Sequence, residues 1–308
     1  MKLPHPIPYQ GSKRNLADKI LSYFPLKVNR LFEPFAGSAA ITIASAYHCK
    51  ANHFVINDIN EPLINLWDKI INYPEQLINE YHFIWNSQIG REEAYYYEAR
   101  EIFNNTQKPE YLLFMLAKCV KAAVRYNSNG EFNQSPDKRR LGRTPSNMRE
   151  DILNVSQLLK NKVTLLSLDY DEVIATASKD DLIYLDPPYQ GTGQTGGFRY
   201  MQDLKHDDFV LSLFQLNKRN IPFLLSYDGR TGDKHFGKPL PDALNLTKIE
   251  IDAGRSSIAT LLNRVENTYE ALYLSPSLLN QIHFKPQPSF IQTSFKSSKG
   301  RERSRNTT

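Results

Sequence analysis

The sequence has few of the residues on which disulfide-bonded and zinc-clustered proteins depend. Its 308 residues include two cysteines, Cys49 and Cys119, and both lie in apolar, helix-like contexts. Two cysteines are too few for a disulfide framework or a cysteine-rich metal cluster, so we expect two buried free thiols. The seven histidines lack the spacing of metal ligands, and we expect no metal.

Long hydrophobic runs are also lacking. No stretch is long and apolar enough for a membrane-spanning helix, and no signal-peptide pattern is present, so we expect a cytoplasmic protein. A folded core is nevertheless indicated, because 41% of the residues are hydrophobic and the chain contains 17 Tyr and 16 Phe. The length suits one large domain, or a main domain with an insert.

Positive charge is concentrated in two segments. The net charge is +5, and the basic residues cluster in DKRRLGR (137–143) and in KSSKGRERSR (296–305). Such clusters suit a polyanion such as nucleic acid, although solvated loops are often basic without binding anything. Residues 285–308 show no apolar periodicity, and we expect a disordered basic tail there.

Strand–helix alternation occurs at both ends of the chain. Residues 29–47 predict a strand, a tight glycine turn and a small-residue helix, and residues 53–72 predict a second strand and helix. The alternation returns with strands in 162–170, 181–186 and 221–227. This rhythm is typical of a parallel sheet covered by helices.

The alternation is interrupted between residues 73 and 160. Helical spacing there is found in four segments: 76–85, 92–103, 110–124 and 147–160. We therefore predict a sheet domain formed by residues 1–72 and 161–284, with a mainly helical insert at 73–160.

Acidic residues stand where three of the predicted strands end. Asp58 follows the Gly37 turn by about 20 residues, the position of a ribose-binding acid, although it could instead cap the helix at Glu61. Asp169 could accept a bond from an exocyclic amine, or cap a helix starting near Glu172. The full G-x-G-x-x-G pattern is missing, so a smaller nucleoside-like ligand is favoured over a pyrophosphate.

The third acid lies in the segment DLIYLDPPYQGTG (181–193). Pro187 and Pro188 cannot donate hydrogen bonds to a sheet, so the strand must end near Asp186. Its carboxylate then lies at the carboxyl end of a strand, where open α/β sheets bind ligands. An ordinary polar turn would account for Asp186–Pro187 but leaves the second proline and Tyr189 unexplained.

Six segments resemble, in type and order, those of the Dam-like adenine-N6 DNA methyltransferases (D12 class, alpha group). The resemblance covers roughly residues 5 to 275. The segments are PYQGSKRNL (8–16), EPFAGSAAI (33–41), NDIN (57–60), RYNSNGEFN (125–133), DPPY (186–189) and GRSSIATLLNRVENTYEALY (254–273).

The resemblance implies a Rossmann-like, S-adenosylmethionine-dependent methyltransferase sheet with an inserted helical DNA-recognition domain. The activity implied is methyl transfer to N6 of an adenine flipped from double-stranded DNA, in a restriction–modification system with a separate cognate endonuclease. Two alternatives stay open: an RNA adenine methyltransferase, and a DNA-binding protein of this fold without turnover.

The resemblance also implies roles for individual residues. The catalytic set is Asp186, Pro187 and Tyr189, in which Asp186 and the Pro187 carbonyl accept the N6 hydrogens and Tyr189 stacks on the base. Lys13 would pair with the methionyl carboxylate. The implied cofactor-binding residues are Tyr9, Lys13, Phe35, Gly37, Asp58, Asp169, Tyr170 and Asp186. Ala39 departs from the family, in which a second glycine is common at this position.

DNA contacts are expected from the polar loop and from the basic segment that follows it. The implied residues are Arg125, Asn127, Lys138, Arg139, Arg140 and Arg143. Arg125 could instead compensate the C-terminal charge of a helix. The segment QSPDKRRLGR (134–143) replaces a Pro-Phe-Gly run common in GATC-modifying relatives, which argues against GATC as the target. The glycine-rich segment 191–198 is expected to close over the flipped base, or to be a flexible connection.

Overall fold

The computed structural model describes residues 3–188, 204–227, 229–231, 234–235, 238–255 and 267–282. The proposed stacking residue Tyr189, the glycine-rich segment 191–198 and the basic tail 285–308 lie outside these ranges.

The strands form one mixed sheet. Its central order is β3-β2-β1-β4-β5-β9-β8, in which β1 to β5 are parallel and β9 is antiparallel to both neighbours. The short strands β6 and β7 pair with each other, and β6 continues along β9. The strands are β1 (Val28–Glu33), β2 (Ala51–Asn57), β3 (Val163–Leu166), β4 (Leu182–Leu185), β5 (Phe223–Ser226), β6 (Arg230–Thr231), β7 (Lys234–His235), β8 (Thr247–Arg255) and β9 (Asn267–Leu274).

Both faces of the central strands β4 and β5 are buried, as their apolar sequences require. Along β4, Tyr184 packs in one hydrophobic cluster and Leu185 in the other, because neighbouring residues of a strand point to opposite faces. Helices cover the two faces. They are α1 (Ala17–Leu21), α2 (Ala40–Tyr47), α3 (Glu61–Asn72), α4 (Pro74–Ser87), α5 (Glu92–Thr106), α6 (Pro109–Lys118), α7 (Pro145–Leu159), α8 (Tyr170–Ala175), α9 (His206–Lys218) and α10 (Pro276–Ile282).

The predicted insert consists of α4 to α7 and the loops between them. These helices pack on one another, and α3 packs against both α6 and α7. Their buried side chains, such as Tyr96 and Leu113, belong to the same hydrophobic cluster as Ile41 of α2. The sheet and the insert therefore share one core, and the domain boundary stays a prediction.

Two expectations about local structure are wrong. The helix predicted to reach residue 124 ends at Lys118, because the next residue, Cys119, has an extended backbone with ψ of 161°. Arg125 then lies beside a short antiparallel bridge between Tyr126 and Phe132, so it does not compensate a helix terminus. Cys119 is buried as expected.

Cys49 is exposed, contrary to expectation. Its left-handed backbone, with φ of 53°, turns the chain between α2 and β2 at the surface. Within the described ranges, every helix is too short or too polar to span a bilayer.

Candidate active site

A cavity of about 340 Å³ lies where β1, β2 and β4 end. All eight residues proposed to bind the cofactor contribute to its lining, as does Pro187. Six of the eight follow β1 to β4 and come together because parallel strands place their carboxyl ends at one edge of a sheet, where the order reverses between β1 and β4. Tyr9 and Lys13 instead belong to the segment before α1. The volume is that of a small-molecule site.

The turn after β1 requires glycine at position 37. Gly37 has a φ of +49°, and a Cβ there would lie 2.8 Å from Cε1 of Tyr9. Its carbonyl accepts a hydrogen bond from Trp67 Nε1 at 3.0 Å, which fixes the turn against α3. Ala39 also has a left-handed backbone, with φ of 45°, so the turn forms without the family's second glycine.

Asp58 joins this turn to the one after β2. One carboxylate oxygen accepts a hydrogen bond from Gly37 N at 3.0 Å, and the other accepts one from Asn60 N at 3.0 Å. Burial raises the pKa of Asp58, and the two backbone hydrogen bonds oppose that rise. The N-cap position of α3 belongs to Asn60, so the alternative of Asp58 as the helix cap is wrong.

Asn57 holds three loops at the edge of the cavity, a role that the sequence analysis missed. Its amide nitrogen donates to the carbonyls of Pro34 and Leu168, and its oxygen accepts from Leu168 N at 2.9 Å. Asn57 directly precedes Asp58 in the NDIN segment, and this position at the end of a buried strand was the available signal.

Aromatic rings form one wall of the cavity. The Phe35 and Tyr170 ring centroids lie 5.1 Å apart, and Phe209 packs against both rings. Asp169 precedes Tyr170 and accepts a hydrogen bond from Asp171 N at 3.0 Å, so it caps α8. The predicted helix start near Glu172 thus lies two residues too late.

Asp186 shares a lysine with a second acid. Lys13 Nζ lies 2.9 Å from Asp186 Oδ1 and 3.1 Å from Glu270 Oε1. Burial raises the pKa of Asp186 to about 6; Lys13 lowers it and the like charge of Glu270 raises it further. Lys13 and Glu270 are both buried. Glu270 was not among the residues predicted from the sequence, since no local pattern places a β9 residue beside Asp186.

Glu33 is a further acid in the cavity lining that the sequence analysis did not select. It is 3% exposed, and its Oε2 accepts a hydrogen bond from Thr42 N at 3.0 Å. Burial raises its pKa to about 7, with the nearby negative charge of Asp186 contributing to the rise. The signal was present, because Glu33–Pro34 ends β1 as Asp186–Pro187 ends β4.

The six residues proposed for DNA contact lie outside the described cavity lining. Most of their polar groups are bound within the protein. Asn127 closes its own loop by accepting from Glu131 N at 2.9 Å and donating to the Glu131 carboxylate. Lys138 pairs with Glu93 at 2.7 Å.

The arginines of the basic segment pair with buried acids. Asp137 binds both Arg139 and Arg140, each through Nε at 3.0 Å. Arg143 pairs with Asp151. The Arg139 side chain is 87% exposed despite its partner, so its guanidinium remains open to a polyanion.

Comparison with known proteins assigns the family. The D12 class N6 adenine-specific DNA methyltransferase profile matches residues 9–253. The chain belongs to this family. Its members use S-adenosylmethionine as the methyl donor, so the predicted family, fold class, enzyme class and cofactor are confirmed.

Individual relatives are similar over part of the chain. The DNA adenine methylase of Haemophilus influenzae is 30% identical over 194 residues, covering 62% of this chain and 65% of the relative. The retron Ec67 DNA adenine methylase of Escherichia coli is 29% identical over 190 residues, covering 60% of this chain and 63% of the relative. Type II methyltransferase M.MjaIII of Methanocaldococcus jannaschii is 27% identical over 262 residues, covering 78% of this chain and 89% of the relative. The chain therefore spans slightly less than two thirds of some relatives.

Proposed function

We propose that this chain transfers a methyl group from S-adenosylmethionine to N6 of an adenine flipped out of double-stranded DNA. The observation that carries this proposal is the position of Asp186. Its carboxylate ends β4 and faces the cavity that also contains the Gly37 turn and Asp58. One pocket thus holds a candidate amine acceptor together with the groups suited to a nucleoside cofactor.

The lining of the cavity fits S-adenosylmethionine. Phe35 and Tyr170 offer flat apolar surfaces for the adenine ring of the cofactor. Asp58 retains lone pairs for ribose hydroxyls after accepting its two backbone hydrogen bonds. Lys13, which is paired with Asp186 and Glu270, would also supply the cation for the methionyl carboxylate. When bound, the cofactor supplies an electrophilic methyl group on a sulfonium.

Asp186 and Pro187 would make the target amine reactive. The lone pair of an adenine N6 amine is delocalised into the ring, so the amine is a weak nucleophile. The ionised Asp186 carboxylate would accept one N6–H bond and the free Pro187 carbonyl the other, orienting the nitrogen. As N6 forms its bond to the methyl carbon, the electrons of the broken S–C bond would stay on sulfur, and the N6 proton that is hydrogen-bonded to Asp186 would pass to that carboxylate.

We also propose that the substrate is duplex DNA and that the enzyme acts in a restriction–modification system. The exposed cationic segment around Arg139 suits phosphates, and Tyr189 would stack on the flipped base. Several relatives carry the name Type II methyltransferase, which supports a modification role with a separately acting endonuclease. Residues 134–143 lack the Pro-Phe-Gly run common in GATC-modifying relatives, which supports a recognition sequence other than GATC.

The test is methyl transfer from labelled S-adenosylmethionine into unmethylated genomic DNA, with single-base mapping of the product. We expect N6-methyladenine within one short motif, and no incorporation by the Asp186→Ala variant. Transfer into RNA alone would support the RNA methyltransferase. Intact cofactor binding without any transfer would support a silent DNA-binding protein, and unchanged transfer by Asp186→Ala would refute the catalytic role.

A further inference from the structure

Glu270 is a buried acid that the transfer reaction as described does not use. It is 9% exposed, and its carboxylate lies 3.1 Å from Lys13 Nζ, on the same ammonium that binds Asp186 at 2.9 Å. Burying a carboxylate costs free energy unless the carboxylate is paired. One lysine here serves two acids, so the three side chains form a single charged unit.

The sheet topology brings Glu270 to this position. Strand β9 pairs with β6 at Thr268 and Tyr269, and with β5 from Leu272 to Leu274. Glu270 lies between these two pairings, next to Ala271, whose carbonyl accepts a hydrogen bond from Tyr227 N just after β5. The Glu270 side chain can therefore reach across the carboxyl end of β5 towards β4 and Asp186.

Among the described residues, two charged groups act on the Asp186 carboxylate, and two further groups are influenced by its charge. Lys13 favours the ionised carboxylate, whereas Glu270 opposes it. Glu33 at the end of β1 and the Tyr184 hydroxyl on β4 also interact electrostatically with it. Glu270 is the one of these acids that contacts the lysine partner of Asp186 directly.

We propose that Glu270 is a positioning residue that holds the Lys13 ammonium. The ammonium then interacts with two carboxylates, those of Glu270 and Asp186, instead of with Asp186 alone. Glu270 thereby limits how far Lys13 stabilises the ionised form of Asp186. Asp186 thus keeps the basicity it needs to bind an amine hydrogen, instead of being locked into a one-to-one ion pair. The proposal rests on the proposed function, in which Asp186 accepts the target amine.

The proposal predicts that two substitutions, Glu270→Gln and Lys13→Met, shift the titration midpoint of Asp186 in opposite directions. Glu270→Gln keeps an oxygen that can accept from Lys13 but removes the like charge, so Lys13 pairs more fully with Asp186. The midpoint of Asp186 titration should fall by about one pH unit. Lys13→Met removes the favourable charge instead, and the midpoint should rise by about the same amount.

Carbon-13 NMR of the free protein, labelled at aspartate carboxyls, measures this midpoint without turnover. The Asp186 signal is assigned by its loss in Asp186→Asn. A matched control is Glu101→Gln, which neutralises an exposed acid on α5 and should leave the midpoint unchanged. An unchanged or raised midpoint in Glu270→Gln would overturn the proposal, even if that variant were less stable.

The pH dependence of kcat for methyl transfer gives the second measurement. The acidic limb should move to lower pH in Glu270→Gln, whereas loss of packing alone would lower kcat at every pH without moving the limb. The two proposals fail separately. A wild-type protein without transfer would refute the proposed function, while the NMR titration would still decide the role of Glu270.

Discussion

The Asp58 carboxylate and the Gly37 amide, 3.0 Å apart, tie together the turns that follow two neighbouring parallel strands. The second oxygen of Asp58 binds Asn60 N at the start of α3. A single acid thus orders both loops of the proposed ribose site while keeping lone pairs directed to a ligand.

Asp58→Asn should weaken cofactor binding. Asparagine has one acceptor oxygen, so its NH₂ group would face either Gly37 N or Asn60 N, and one backbone donor would lose its partner. Asparagine is also uncharged, and a ribose hydroxyl that donates to a charged group contributes about 1.5–3 kcal/mol of binding, so the affinity should fall roughly ten- to hundredfold. Calorimetric titration with S-adenosylmethionine measures this, with Asp68→Asn on α3 as the control. Equal affinity in the two variants would contradict the role of Asp58.

Gly37→Ala should destabilise the fold through Tyr9. The added Cβ would lie 2.8 Å from the Tyr9 ring, and the left-handed backbone adds strain of about 1 kcal/mol or more. Urea unfolding of Gly37→Ala, Tyr9→Ala and the double variant forms a double-mutant cycle. We expect the double variant to recover about 0.5–3 kcal/mol relative to additivity. Strict additivity would show that Tyr9 does not impose the requirement for glycine.

Stability should fall with rising pH because of Glu33. Its folded-state pKa of about 7 exceeds the ordinary 4.5, so the folded state binds more protons than the unfolded state between these values. The free energy of unfolding therefore decreases by about 2 kcal/mol from about pH 5 to about pH 8 through this group. The raised pKa of Asp186 acts in the same direction.

Glu33→Gln isolates this contribution, because glutamine can still accept a hydrogen bond from Thr42 N. The variant should gain about 2 kcal/mol of stability relative to wild type as the pH rises from about 5 to about 8. Urea unfolding at several pH values measures the difference. A difference that stays constant with pH would show that Glu33 is ionised throughout the range.

Arg139→Ala should weaken DNA binding in a salt-dependent way. If its exposed guanidinium contacts a phosphate, the slope of log K against log salt should decrease in magnitude by about 0.9. Fluorescence anisotropy with a fixed duplex at several salt concentrations gives the slope. Lys162→Ala is the control, since Lys162 directly precedes the amino end of β3, whereas the cavity lies at the carboxyl ends of the parallel strands. The same slope in both variants would show that Arg139 does not contact the DNA.

The sequence by itself determined the parallel sheet, the family and the group of residues that line the cavity. Asp58, Asp169 and Asp186 could be placed together because each follows a strand pattern, and parallel strands end at a common edge. Gly37 could be selected because a tight strand–helix turn needs its backbone freedom. These inferences depend on local periodicity and on one rule of sheet geometry.

Only the tertiary structure decided which charges meet. Glu270 reaches Lys13 because β9 enters the sheet antiparallel beside β5, a register that residues near position 270 do not encode locally. Lys138 was expected to contact DNA, yet the fold places Glu93 of α5, a residue distant in the sequence, 2.7 Å from its ammonium. Hydrophobic patterning sets the faces of helices and strands, whereas ion pairs between distant segments depend on packing of the whole chain, because a charge interacts strongly only with groups a few ångströms away.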